Sequence, residues 1–315
     1  MKRKSIIIAI IAVVVIVAGV YLIAYIAAYK SLHMPRQQFL KTPKDYGMQY
    51  GDIEFTTSDG VLIKGWWIPG SSNAVIIASH GYSANRAGWT GKDKSGKDEY
   101  IDWLLSTAPL NKAGYNLLHF DHRASGESGG DLITLGKLEA LDLIAAVNWI
   151  LANKKGVDRV GLLGFSMGGN VVLRGGVELN RMVKEGKIKS AAVIAIGPFI
   201  FDTMIDKSIR YWTALPAFFI PVIKQVSGCV IGFNPREEIN PPKYVDQISP
   251  VPVFFIQAEK DEIGDDSDVK KMYEAAKEPK DILIIPNALR FEQYRYAADH
   301  PDRVIAFYNR YLGGK

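Results

Sequence analysis

The chain has 315 residues, of which 48% are hydrophobic and 23% charged, with one cysteine and a formal net charge of +5. This composition is typical of a globular protein, and the single cysteine excludes an intramolecular disulfide. The positive charge does not indicate nucleic-acid binding, because residues 1–30 carry four basic residues and no acid, which leaves only +1 for the rest of the chain.

An uncharged apolar run covers residues 5–29 and predicts a membrane-spanning helix. At about 1.5 Å per residue such a helix exceeds the roughly 30 Å hydrocarbon layer. Tyr21, Tyr25 and Tyr29 cluster toward one end, as expected at a membrane interface. The alternative is a cleaved signal peptide, whose apolar region is about 7–15 residues long and ends in an A-x-A site that this run lacks. We therefore predict that residues 1–30 form an uncleaved anchor.

The charges beside this run predict its orientation. Lys2, Arg3 and Lys4 favour a cytoplasmic N-terminus, which would place the remainder of the chain on the extracytoplasmic side. Basic residues also follow the run and weaken the asymmetry: Lys30, Arg36, Lys41 and Lys44. Residues 31–50 are mixed and turn-prone and are predicted to be a juxtamembrane linker.

Short apolar runs alternate with helical patterns through the rest of the chain. Strand signals lie at 51–57, 61–68, 74–79, 116–120, 159–164, 190–196, 252–257 and 281–286, and helix signals at 98–113, 136–153, 167–184, 267–277 and 301–312. Such alternation predicts a mainly parallel sheet covered by helices on both faces. Ser58-Asp59-Gly60 predicts an antiparallel hairpin between the first two strands.

Residues 198–250 separate two strand signals by more than a plain crossover needs. The segment is rich in Phe, Ile and Pro, and we predict that it forms a small helical cap. The alternative is an ordinary crossover helix with a long loop.

The strongest chemical signal is Gly164-Phe165-Ser166-Met167-Gly168, which follows an apolar strand and opens a helical pattern. A sharp strand-to-helix turn of this kind exposes a serine hydroxyl, and the flanking glycines allow the backbone to crowd without Cβ clashes. The pattern predicts that Ser166 is a nucleophile near a helix N-terminus, where negative charge is favoured.

Six segments together resemble the α/β-hydrolase superfamily, of the esterase, lysophospholipase and serine-aminopeptidase type. They are HGYSANR, AGYNLLHFDHRASGESGG, TLGKLEALDLIAAVNWI, VGLLGFSMGGNVVL, VPVFFIQAEKDEI and HPDRVIAFYNRYL, and they cover most of residues 50–312. The resemblance implies an α/β-hydrolase domain over residues 51–315. Ala124 stands where such proteins usually have glycine.

The resemblance also implies the remaining site residues. The acid of the family follows a late strand, which selects Asp261, with Ala258 in place of the usual glycine. Backbone N–H groups of Tyr82 and Met167 would form the oxyanion hole.

The base is the open question in this resemblance. The expected order is Ser, acid, His, and His300 is the one histidine after Asp261. The usual histidine position, however, falls at Arg290, whose guanidinium stays protonated and cannot accept the proton of the serine. Either the loop 287–299 folds His300 back to Ser166 as the base, or His300 is a residue near a helix cap.

The sequence thus predicts a serine hydrolase that cleaves carboxylic esters with acyl or lipid-like groups, without a cofactor. Two alternatives stay open: a peptidase of the same fold, and a membrane-tethered binding protein that Arg290 has impaired. His119 and His122 flank Asp121, but no second ligand cluster accompanies them, so no metal site is predicted.

Overall fold

The computed structural model describes residues 2–93 and 95–313. Met1 of the predicted anchor and residues 94, 314 and 315 of the predicted hydrolase domain lie outside the described residues. The chain begins with a long helix, α1 (Lys2–Leu32), and this is the one helix in the described part that is long and apolar enough to cross a membrane.

An eight-stranded sheet forms the centre of the molecule. Its strands are β1 (Gly51–Thr56), β2 (Leu62–Ile68), β3 (Ala74–Ser79), β6 (Asn116–Phe120), β7 (Arg159–Phe165), β8 (Ser190–Ile196), β9 (Val253–Lys260) and β10 (Lys280–Leu289). They are ordered β1-β2-β6-β3-β7-β8-β9-β10, and β2 pairs antiparallel with both of its neighbours while every other pair is parallel. The predicted α/β-hydrolase fold is confirmed.

Helices cover both faces because the central strands are apolar on both sides. One face packs against α3 (Glu139–Asn153), α4 (Met167–Lys184) and α8 (Asp266–Ala275). The other packs against α2 (Trp103–Lys112), α9 (Arg290–Asp299) and α10 (Pro301–Leu312).

The predicted helix over 98–113 is partly wrong. Its first residues form a strand, β5 (Asp98–Asp102), which pairs with β4 (Gly88–Lys92) in a separate two-stranded hairpin. Asp102 then caps α2 by accepting a hydrogen bond from the N–H of Leu105. The helix therefore begins where a side-chain acceptor satisfies its first free N–H groups.

The segment predicted as a cap contains three helices: α5 (Phe201–Trp212), α6 (Phe219–Ile231) and the single turn α7 (Pro235–Glu238). Helix α6 packs along the C-terminal part of α1 in an apolar cluster that includes Ala24, Ala28 and Phe219. The cap and the end of α1 therefore form one packed unit.

Of residues 31–50, predicted as a juxtamembrane linker, the first two belong to α1 and the others lie against the hydrolase domain. The ring of Phe39 lies 5.2 Å from that of Trp66, and Met48 is buried. The guanidinium of Arg36 donates hydrogen bonds to four backbone carbonyls between Ser125 and Gly130. The end of α1 is consequently held in a defined position.

Candidate active site

Ser166 lies in the turn between β7 and α4 and adopts φ 54° and ψ −116°. This left-handed conformation is strained for a residue with a side chain, so the surroundings must hold it. The Ser166 N–H donates to the carbonyl of Ile196 at 2.8 Å. A Cβ at Gly168 would overlap the Ser79 carbonyl, and one at Gly164 would overlap the Gly168 carbonyl. The two glycines thus permit the backbone crowding that a nucleophile turn requires.

Asp261 follows β9 at the same edge of the sheet, and its carboxylate is buried. It accepts hydrogen bonds from the N–H groups of Ile263 and Gly264, both at 2.8 Å, and from the Gln293 amide at 2.6 Å. Burial acts to raise the pKa of Asp261, but the positive charge of Arg290 and these donors outweigh it and lower the pKa. Asp261 is therefore ionised at neutral pH.

Arg290, the first residue of α9, joins these two groups. Its guanidinium donates to Ser166 Oγ at 3.1 Å and to Asp261 Oδ1 at 3.3 Å, and it lies 5.3 Å from the ring centre of Tyr294. Burial disfavours the charge, yet Tyr294 and Asp261 outweigh burial and raise the pKa of Arg290. A permanent cation thus occupies the position between serine and acid where a serine hydrolase holds its base.

His300 does not join this group. Residues 290–299 are a helix and not the loop that the sequence suggested, and His300 follows its last turn. Ten residues at about 1.5 Å each separate His300 from Arg290 by roughly 15 Å along the axis. The His300 ring is exposed and lies 4.6 Å from the ring of Tyr296. The expectation that 287–299 folds back onto Ser166 is therefore wrong.

The other four histidines contact groups other than Ser166. His80, His119 and His122 are buried beneath the turn, where burial lowers their pKa values and keeps them neutral. His122 bonds to the Ser79 hydroxyl at 2.7 Å, while the ring of His33 stacks on Tyr29. Within the described residues, no histidine hydrogen-bonds to Ser166.

An apolar cavity of about 460 Å³ opens above Ser166 and Arg290. Its walls come from α5, α6 and the loop residues Leu135 and Phe199, together with the last two turns of α1. The α1 contribution consists of Ala27, Ala28, Ser31 and Leu32. A volume of this size suits a small organic ligand, and the apolar walls favour a hydrocarbon group.

Sequence reasoning missed the contribution of α1. The signal is present in the chain, because small residues recur on one face of the helix at positions 24, 27, 28 and 31. Such a stripe allows another helix to approach closely, as α6 does here.

Comparison with known proteins identifies the fold family. The alpha/beta hydrolase family model matches residues 75–298. The chain belongs to the alpha/beta hydrolase family. The esterase Pf2001 of Pyrococcus furiosus is 30% identical, covers 90% of this chain and all of its own, and superposes with a TM-score of 0.69. The uncharacterized protein YfhR of Salmonella typhimurium is 26% identical over 96% of this chain and 94% of its own length. The polyketide transferase grgF of a Penicillium species is 25% identical over 74% of this chain and 87% of its own.

The oxyanion donors expected for this alpha/beta hydrolase are close to the nucleophile turn. A Cβ at Gly81, beside Tyr82, would lie 3.5 Å from the Cβ of Ser166. Met167 is the first residue of α4, so its N–H has no partner within the helix. The Tyr82 N–H makes no hydrogen bond to another described residue. Both N–H groups are therefore available, and their role as oxyanion donors stays a prediction.

The DHRASGES segment is tied by hydrogen bonds to the loop that follows β3. Asp121 accepts hydrogen bonds from the backbone and the guanidinium of Arg86, at 2.7 and 2.8 Å. Ala124, which replaces the usual glycine, has φ 59°, so it carries strain that glycine would avoid.

In the described part of the chain, no group of three or more His, Cys, Asp or Glu residues is placed to hold a metal ion.

Proposed function

We propose that this protein is a membrane-anchored serine hydrolase of low turnover that acts on carboxylic esters with an apolar acyl group. The observation that carries the proposal is Ser166, held in a strained nucleophile turn at the base of an apolar cavity. The 30% identity to an esterase supports the ester as the substrate class.

In the proposed reaction, Ser166 Oγ attacks the ester carbonyl and the acyl chain occupies the cavity. Charge on the carbonyl oxygen is stabilised by the N–H groups of Tyr82 and Met167, an interaction whose loss typically costs about 2.7–4 kcal/mol of barrier. The carbonyl then re-forms, the alcohol leaves with a proton from solvent, and water hydrolyses the acyl-serine.

Arg290 limits the rate of this reaction. Its guanidinium donates to Ser166 Oγ and can stabilise negative charge there, but it cannot accept the proton. The proton must pass to water, and general base catalysis, which typically contributes 10²–10⁴-fold, is lost. Asp261 holds the guanidinium in place instead of orienting an imidazole.

The test is hydrolysis of p-nitrophenyl acyl esters of increasing chain length by the full chain in detergent, with Ser166→Ala as the matched control. We expect slow turnover that Ser166→Ala abolishes and that improves with chain length until the cavity is filled. Equal turnover by both proteins would contradict Ser166 as the nucleophile.

Arg290 also favours a second candidate, a binding protein for acyl esters. In that case, calorimetry would detect stoichiometric binding of an acyl ester to the full chain, and no turnover would depend on Ser166.

The anchor and its orientation are part of the proposal. The last turns of α1 line the cavity, so a cleaved signal peptide would remove one of its walls. The basic N-terminus favours a catalytic domain on the extracytoplasmic side.

The orientation is tested by a cysteine placed at the exposed Leu105 in a Cys229→Ser background. This cysteine should react with an impermeant maleimide on intact cells. Labelling only after lysis would show the opposite orientation.

A further inference from the structure

The cap contains an uncharged run, residues 211–223, between Arg210 and Lys224. Two of its large apolar side chains are exposed, Trp212 at 47% and Phe218 at 60%. Ala214 and Ala217, which lie between them, are exposed as well. A contiguous exposed apolar segment of this kind marks a surface that another apolar phase covers.

The segment is continuous with the membrane helix. Phe218 stacks on Phe219 at 4.6 Å, and Phe219 belongs to the apolar cluster that contains Ala24 and Ala28 of α1. The Tyr21 hydroxyl also donates to the Gln225 side chain of α6 at 3.1 Å. The cap is therefore packed against α1 itself and not only against the hydrolase domain.

The length of α1 locates this contact relative to a bilayer. A hydrocarbon layer of about 30 Å needs about 20 helical residues, so a span that begins at Ser5 ends near Ala24. Residues that pack on Ala24 and Ala28 then lie at the level of the lipid headgroups. Arg210, at the start of the uncharged run, is exposed and suits the anionic part of that layer. Lys224, at its other end, is paired with Asp202 and Asp206 within the cap.

The same residues form the outer part of the cavity. Trp212 and Leu215 line it together with Ala27 and Ala28, whereas Ser166 and Arg290 lie at its base. The cavity thus extends from the candidate nucleophile to the place where the cap meets α1.

We propose that residues 211–223 insert into the headgroup layer beside α1 and place the outer end of the cavity at the bilayer surface. The occupant of this apolar face is the lipid bilayer. The ligand is an amphiphile that enters from the membrane with its acyl chain first. This entry route rests on the proposed ester hydrolysis, whereas the insertion rests only on α1 as the membrane anchor.

Insertion is tested by nitroxide labels on the full chain in phosphatidylcholine vesicles, with Cys229→Ser as background. Phe218→Cys and Ala217→Cys provide two labels in the cap, and Leu105→Cys, at a side chain that is 48% exposed on α2, is the matched control. We expect the cap labels to collide with dissolved oxygen more than with a water-soluble nickel chelate, and the control label to show the reverse. Cap labels that resemble the control would overturn the insertion.

Entry from the membrane is tested by turnover of two esters in the same vesicles, p-nitrophenyl acetate in water and a long-chain ester in the bilayer. Phe218 does not line the cavity. Phe218→Ser should lower turnover of the bilayer ester about fivefold or more and leave the acetate unchanged, and Leu105→Ser should affect neither. An equal effect on both esters would overturn the entry route. If neither ester is hydrolysed, the proposed function is contradicted. The collisions of the nitroxide labels with oxygen and with the nickel chelate would still decide the insertion.

Discussion

The two sides of the candidate site differ in what holds them. On one side, Ser166 is positioned by backbone crowding, in which Gly164 and Gly168 leave no room for a side chain. On the other side, the place of the base depends on one side chain, Arg290, at the start of α9. A side chain at Gly164 or Gly168 would collide with the backbone of the turn, whereas Arg290 contacts Ser166 and Asp261 through its side chain alone. A hydrolase fold can therefore keep its nucleophile geometry and lose its base.

The largest effect is expected from Arg290→His, which would restore a group that can accept the serine proton. Ester hydrolysis should rise by at least about 10²-fold, the lower range of general base catalysis. The rate should fall as the pH drops below about 6.5, because a protonated imidazole no longer accepts a proton. Steady-state rates from about pH 5 to pH 8 provide the measurement.

Arg290→Met is the matched control, because it removes the cation without adding a base. It should not reproduce the increase or its pH dependence. An increase of the same size in both variants would show that the charge of Arg290, and not the missing base, limits turnover.

Asp261→Asn should have the next largest effect, on stability. It leaves the guanidinium of Arg290, whose side chain is only 14% exposed, without its counterion, and breaking a buried pair costs at most about 3–5 kcal/mol. Urea denaturation of the full chain in detergent measures the change. Asp246→Asn removes a pair with Lys277 that is largely exposed and should cost at most about 1 kcal/mol. Similar losses in the two variants would contradict the pairing at the site.

The stability difference between the parent protein and Asp261→Asn should depend on pH. The pKa of Asp261 is lowered in the folded state, so its ionised form contributes stability that is present above the ordinary carboxyl pKa of about 4. That contribution is lost as the pH falls through the lowered folded pKa. Denaturation curves at several pH values should converge under acid conditions, and a constant difference would exclude this linkage.

A smaller effect is expected at the turn itself. Gly168→Ala would push a methyl group into the Ser79 carbonyl, and overpacking of this kind typically costs about 1–3 kcal/mol. Gly51→Ala in β1 is the control, since a Cβ there meets no atom within 4 Å. Thermal unfolding should separate the two variants; equal melting temperatures would mean that the turn is less crowded than the structure indicates.

Much of the fold could be predicted because its signals are local. The alternation of apolar strands with helical patterns indicated the parallel sheet, and the spacing of Gly164, Ser166 and Gly168 indicated the nucleophile turn. Asp261 was selected by the resemblance to the α/β-hydrolase superfamily, whose acid follows a late strand. The start of α2 and the helix α9 were missed, since the residues at 98–102 and 290–299 carry no distinct strand or helix period.

The sequence by itself determined the sheet, the turn at Ser166, an apolar N-terminal helix and an arginine at the usual position of the histidine. These features depend on neighbouring residues and on their spacing. Only the tertiary structure decided that Arg290 contacts Ser166, from which it is 124 positions away, and that His300 lies at the far end of α9. Only the tertiary structure decided, too, that the last turns of α1 form a wall of the cavity. Such contacts join distant parts of the chain through packing, and no local period encodes which surfaces will meet.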